Sequence, residues 1–407
     1  MNKFAILLSF ICFVSIAQDW PQYRGQNRDG VSIETNFIRE WPAGLKRLWK
    51  TNVGIGSSSI VISGQKLFTM GHLGGNDTVY CLNAETGAEL WKYSYPCDTF
   101  DNMHEGGPAS TPATDGAMVY TLSRAGLLNC LDATTGKPVW SADFEKLHAT
   151  LPMFGHSNSP LLTDKAVILS AGGPGMSRIA FDKKNGTILW KSGDEDASYA
   201  SPVPLQLGGK SAIVFFNASG LFIADSADGS ELGHHDWVTP SPINSRINAA
   251  TPLVASDGIF ITSGYGKGCA RLTAPGGKPT LVWQNENMRS QYGTLVMTGG
   301  FIYGFDSSPD GSDRQGSLKC LDFKTGEEKW SRDDPQLGSL ILAGGDLLML
   351  TRRGELILAK ASSEKYSELA RMQVLSGTCR SEPVLVNGLI YVRGVNGEVA
   401  CFDARKP

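Results

Sequence analysis

The chain has 407 residues, 47 of them glycine, with 19% charged residues and a net charge of −3. That length exceeds what one hydrophobic core organises, so it implies several domains or one repeat array. The modest charge fraction argues against disorder, and the slight acidity leaves no electrostatic footprint for nucleic acid or an anionic membrane surface.

Residues 1–17 carry Lys3, an apolar run from Phe4 to Val14, and Ser15-Ile16-Ala17 before Gln18. The pattern predicts a secretory signal with a small-x-small cleavage site, too short and wrongly flanked for a membrane span. The bulky Ile11 before Cys12 argues against a lipoprotein signal. The expectation is an exported, monomeric protein of the periplasm or extracellular space, with no nucleic-acid partner and no membrane span. Residues 18–44, with Trp20, Tyr23, Arg24 and Arg28 but no strand periodicity, read as a packed N-terminal arm.

From residue 45 to 407 the chain repeats itself. Residues 127–140 read as a strand, an Asp132-to-Gly136 turn and a second strand ending in Trp140. The same sentence recurs at Cys81-Leu82-Asn83 through Gly87 to Trp91, at Ala180-Phe181-Asp182 through Gly186 to Trp190, and at Cys320-Leu321-Asp322 through Gly326 to Trp330. Each Trp follows its Gly by four residues. Each unit opens on a small residue or a hydroxyl before Pro or an aliphatic residue, as in Ser59-Ile60, Thr111-Pro112, Ser159-Pro160, Ser201-Pro202 and Thr251-Pro252. The remaining openings are Thr294-Leu295, Ser339-Leu340 and Glu382-Pro383, which makes eight units of about 45 residues, a length suited to four-stranded blades. Two units are degenerate: Gly233 replaces Trp in the fourth, and the seventh lacks both turn Gly and Trp.

The eighth unit stops after its third strand at residues 399–404, while residues 45–49 form an outer strand without the other three. The prediction is therefore an all-β, eight-bladed propeller of four-stranded antiparallel blades, closed by pairing its N- and C-terminal strands. Cys81, Cys130, Cys320 and Cys401 share one position of the third strand, too far apart for disulfides, and read as small buried hydrophobes. Cys97 and Cys379 lie off that position, and their pairing stays open. The recurrent Trp residues read as packing between blades.

On these motifs, residues 19–407 resemble the pyrroloquinoline-quinone-repeat propellers, whose blades carry Ala-x-Asp-x-x-Thr-Gly-x-x-x-Trp. The resemblance implies the propeller fold. Its members include quinone-dependent alcohol dehydrogenases, the propeller subunit BamB of the outer-membrane assembly machinery, and exported proteins of no known activity, so it does not choose a function.

Candidate binding residues collect just before the blade openings, where the innermost strands begin beside the central funnel. They are His104, Glu105, His156, Asn158, Tyr199, Arg246, Asn248, Arg289, Tyr292, Arg380 and Glu382. Converging on one mouth, they would hold a small polar or anionic ligand or a partner peptide; the alternative is that these loop ends bond one another. Residues 310–313, an acidic Gly-rich tip, lack the regular acid spacing of a calcium loop. The expected function is a non-catalytic, BamB-like binding or assembly scaffold without cofactor. The alternative is a quinoprotein alcohol dehydrogenase, which the resemblance would equip with pyrroloquinoline quinone and calcium. Against it, the adjacent Cys pair and long roofing insertions of those enzymes are missing from this chain.

Overall fold

The Asp-to-Gly turn and the Trp that follows it build one blade and join it to the next. In blade 2, Asp132 Oδ1 accepts hydrogen bonds from the backbone N–H groups of Thr134 (3.0 Å) and Thr135 (2.7 Å) and from the Thr135 hydroxyl (2.9 Å). This closes the turn between the third and fourth strands. Gly136 then sits at φ 70°, and a Cβ there would lie 2.5 Å from the indole of Trp91 in the preceding blade. Only glycine satisfies both the left-handed backbone and the close approach. Gly87 meets Trp49 in the same way, Gly186 meets Trp140, Gly229 meets Trp190 and Gly326 meets Trp283.

Each indole N–H completes the joint by donating to a carbonyl of the following blade. Trp49 donates to Ala84 (2.9 Å), Trp91 to Ala133 (3.2 Å) and Trp140 to Lys183 (2.9 Å). Trp190 donates to Ser226 (3.2 Å), Trp283 to Phe323 (3.2 Å) and Trp330 to Ser362 (2.8 Å).

The computed structural model describes residues 19–100, 105–240, 246–293, 295–308, 315–335 and 337–406. The signal segment, His104 and the acidic tip at 310–313 lie outside them. The sheets form an eight-bladed propeller, each blade four antiparallel strands in sequence order from the axis outward. Blade 1 is typical, with strands Val61–Ser63, Lys66–Leu73, Asn76–Asn83 and Glu89–Pro96. Blade 8 closes the ring: the N-terminal strand Lys46–Asn52 pairs antiparallel with Glu398–Asp403, placing Trp49 opposite Cys401. The buried apolar side chains accordingly cluster at the seams, as where Phe68, Cys81 and Trp91 of blade 1 meet Val119 and Leu131 of blade 2. Cys97 and Cys379 are both free thiols.

The two degenerate seams are filled by other residues. Between blades 4 and 5, where Gly233 lies against Gly277 and Pro279, Trp237 is buried and its indole donates to the Ser263 hydroxyl (3.0 Å). Between blades 7 and 8, Trp41 of the arm joins the cluster containing Leu356, Leu358 and Met372.

The arm also crosses one end of the central channel. Trp20 exchanges backbone hydrogen bonds with Ile62 of blade 1, and Thr114 of blade 2 donates to Pro21. Arg28 reaches the Ser159 (3.0 Å) and Pro160 (2.7 Å) carbonyls of blade 3, and Arg24 the Leu295 carbonyl of blade 6 (2.5 Å). Val31–Ser32 then adds a parallel fifth strand inside blade 7.

Removing the Trp91 side chain empties a seam, so Trp91→Ala is predicted to lose about 3–5 kcal/mol, read from urea unfolding; an unchanged midpoint would refute the joint. Deleting residues 45–52 exposes the Glu398–Asp403 edge, and the expected result is aggregation or loss of cooperative melting. A deletion variant that melts like the parent would refute terminal closure.

Candidate functional site

Six residues that open inner strands, Ser59, Thr111, Ser159, Ser201, Thr251 and Glu382, line one cavity. Here the hydroxyls before the Pro residues link neighbouring blades. The Ser59 N–H donates to the Thr111 hydroxyl (3.0 Å), Thr111 N–H to Ser159 (2.9 Å), Ser159 N–H to Ser201 (2.9 Å) and Ser201 N–H to Thr251 (3.3 Å). A hydroxyl serves this position because it accepts from one blade while presenting its own hydrogen elsewhere. The opening signature is therefore an inter-blade girdle.

Above the girdle lies a cavity of about 510 Å³, within the ~300–1,000 Å³ range of small-molecule sites. The girdle residues, Glu382 and Tyr23 of the arm are among the residues that line it. Two kinds of loop build its wall. Openings of blades supply Glu105, Tyr199, Gln291, Tyr292 and Arg380. Hairpins between second and third strands supply Arg124, Tyr265 and Arg352.

The wall groups hold one another. Arg124 is buried and donates to the carbonyls of Gly107 and Phe154, the latter at 2.7 Å. Arg352 donates to the Tyr292 hydroxyl (3.2 Å), and the Arg380 guanidinium stacks 5.2 Å from the Tyr292 ring centroid. Arg380 also lies 3.7 Å from Glu105. Gln291 donates to the Tyr265 hydroxyl (2.9 Å), and Phe154 packs on Tyr199 with centroids 5.8 Å apart.

Glu382 and Tyr23 are electrostatically unusual. Glu382 is 3% exposed, and its Oε1 has no hydrogen-bond partner. Burial raises its pKa, opposed by its own backbone N–H and by the Arg24 charge. Burial, helped by the Glu382 charge, pushes the Tyr23 hydroxyl up to about 12. Burial pulls Arg28, behind Tyr23, down to about 9.

Of the residues singled out from sequence, Glu105, Tyr199, Tyr292, Arg380 and Glu382 line this cavity. Five others do not. Asn158 is buried beside it as a bracket, exchanging hydrogen bonds with the Ser170 backbone (2.9 and 3.1 Å). Asn248 is a buried junction, accepting from the Thr239 and Ser263 hydroxyls (both 2.7 Å) and donating to the Asn217 and Trp237 carbonyls. His156 packs edge-on against Phe144 at 5.2 Å. Arg289 is held by Asp306 (2.9 Å) away from the cavity, and Arg246 is exposed and does not line it. The expected convergence of Arg246, Arg289 and Arg380 therefore fails, because a facing carboxylate captures one and the loop turns another to solvent. Arg124 and Arg352 take their places. Sequence reasoning missed both, along with Tyr23 and Tyr265, although their placement just after a second strand offered a signal.

His156 is 1% exposed, and burial lowers its pKa to about 4. It stays neutral in the folded protein while the unfolded chain protonates near 6.5, so the unfolded state binds more protons between those values. Stability is therefore full above the unfolded pKa and falls as pH drops. The predicted loss from pH 7 to 5 is about 2 kcal/mol, and His156→Gln should flatten that slope in urea titrations. Identical slopes in parent and variant would refute it.

Comparison with known proteins agrees with this architecture. The profile of the family described as outer membrane protein assembly factor BamB matches residues 42–101 and 98–332. The BamB protein of Yersinia pestis is 22% identical over 304 residues, covering 70% of this chain and 72% of that protein. The quinohemoprotein alcohol dehydrogenase ADH-IIG of Pseudomonas putida is 26% identical over 148 residues, 34% of this chain and 19% of the enzyme. Among solved structures, BamB from Moraxella catarrhalis superposes with a TM-score of 0.63 at 17% identity, covering 89% of this chain and 98% of that one, a likeness of fold. With the profile spanning most of an eight-bladed ring, the chain belongs to the BamB family of β-propellers.

Proposed function

We propose that this protein is an exported, monomeric, non-catalytic propeller of the BamB type, which holds a protein partner on its outer surfaces and a small polar ligand in the central funnel. The observation that carries this reading is the chemistry of the funnel. It is a lining of hydroxyls, phenol rings and guanidinium groups with two carboxyls among them. Glu105 faces Arg380, and Glu382 is buried in the girdle with a raised pKa.

The quinoprotein alternative fits these residues poorly. A calcium ion bound with the quinone takes about 6–8 oxygen ligands, including carboxylates. Among the described residues no group of three His, Cys, Asp or Glu side chains is placed to hold a metal. Trp91, Trp140 and Trp283, large enough to clamp a planar cofactor, are engaged at the blade seams.

Two measurements test the proposal. Incubated with pyrroloquinoline quinone and calcium, the purified protein should show neither stoichiometric chromophore uptake nor alcohol-dependent dye reduction. Cross-linked in its native cell, the tagged chain should enrich one envelope protein at near-stoichiometric yield. Quinone uptake together with dye reduction would overturn the reading, as would the absence of any stoichiometric cross-linked partner.

A further inference from the structure

One blade edge is unguarded. The outer strand of each blade ends its sheet, so its outward backbone N–H and C=O groups lie outside the ladder. Seven of the eight outer strands carry a charged residue or a Pro, such as Lys92 in blade 1, Lys191 in blade 3 and Arg371 in blade 7. Such residues keep an open edge from pairing with another chain. The blade 5 strand, Thr280–Asn285, has neither. It also exposes two consecutive aliphatic side chains, Leu281 at 44% and Val282 at 46%, where a bulge leaves Val282 without a residue opposite it. Blade 3 exposes a comparable pair, Ile188 and Leu189, but Lys191 follows it.

Opposite charges bound this neutral edge. Lys278 precedes the strand and Glu286 directly follows it; both are exposed, and neither makes a salt bridge among the described residues. A free edge of backbone donors and acceptors accepts one kind of occupant, an extended chain. Laid antiparallel, as the strands within each blade are, that chain passes Glu286 first and Lys278 last. Its charges are matched when a basic residue leads and an acidic residue ends the paired stretch. Between them, a charged side chain set against Leu281 or Val282 would lose hydration and meet no counter-charge. Val, Ile and Thr suit the half-buried pleated surface instead.

Resting on the binding-propeller reading above, we propose that the outer edge of blade 5 docks an extended segment of the protein partner. The segment has about six uncharged residues rich in Val, Ile and Thr, led by a basic residue and closed by an acidic one. It adds a fifth strand on the outside of blade 5, as Val31–Ser32 adds one on the inside of blade 7.

The probe is the peptide Lys-Thr-Val-Thr-Val-Thr-Val-Glu, acetylated and amidated at its ends, titrated by calorimetry into the full-length protein. Binding should saturate at one site per chain and, among the outer strands, slow hydrogen–deuterium exchange over residues 280–285 alone. Val282→Lys should weaken it about tenfold, while Val139→Lys, the same change on the guarded blade 2 edge, should leave it unchanged. Both positions are exposed, so both variants should fold, which circular dichroism melts check. Exchanging the terminal Lys and Glu of the peptide should weaken binding about threefold. No saturable binding to the folded parent overturns the proposal, as does protection over a different outer strand. Parental affinity in folded Val282→Lys, or equal affinity for the exchanged peptide, overturns it as well. Loss of the cross-linked partner with peptide binding intact would sink the scaffold reading alone; the converse would sink the blade 5 edge alone.

Discussion

The ring depends on one repeated contact, an indole laid over a left-handed glycine of the next blade with its N–H on that blade's carbonyl. The contact joins a large buried apolar area to a satisfied polar atom. A small sheet with one outer Trp has nothing to bury that ring against, so each blade needs its neighbour. Stability therefore resides at the seams, where the apolar clusters lie. Where the repeat loses its Trp, Trp237 and Trp41 arrive from outside the repeat positions to fill the joint. The requirement belongs to the seam and not to the sequence position.

A rigid ring gives the channel a fixed diameter, and two features turn that channel into a site. The hydroxyl girdle uses backbone N–H groups that Pro at the following position could not supply, and it lines the axis with polar atoms. The arm, anchored by Trp20 and by the carbonyl contacts of Arg24 and Arg28, ties blades 1, 3 and 6 together and adds Tyr23 to the lining. Burying Arg24 without a direct carboxylate contact is costly, and the Glu382 charge above it offsets part of that cost. The same Glu382 thus serves the arm below and faces the cavity above.

Membership of the BamB family fixes the fold of the chain, and a fold does not by itself assign a function. The blades are nearly minimal here. The side chains that line the funnel come from strand openings and from the hairpins between second and third strands.

Sequence alone determined the blade count, the closure by Lys46–Asn52 and the structural role of the Trp residues, because each rests on a local pattern repeated at a fixed period. The openings were legible as well, though not as a hydrogen-bonded girdle, since that bond crosses about 40–50 residues to the next blade. The membership of the cavity was decided only by tertiary structure. Arg124 and Arg352 come from hairpins that lie distant in sequence from the openings yet reach the same face. Arg289, although next to an opening, is claimed by Asp306 from its own blade's second strand. His156 and Asn158 share a segment with the cavity-lining Ser157 and Ser159, yet point into packing against Phe144 and Ser170. Proximity in sequence sets which loop a side chain belongs to; its direction is set by the blade packed beside it.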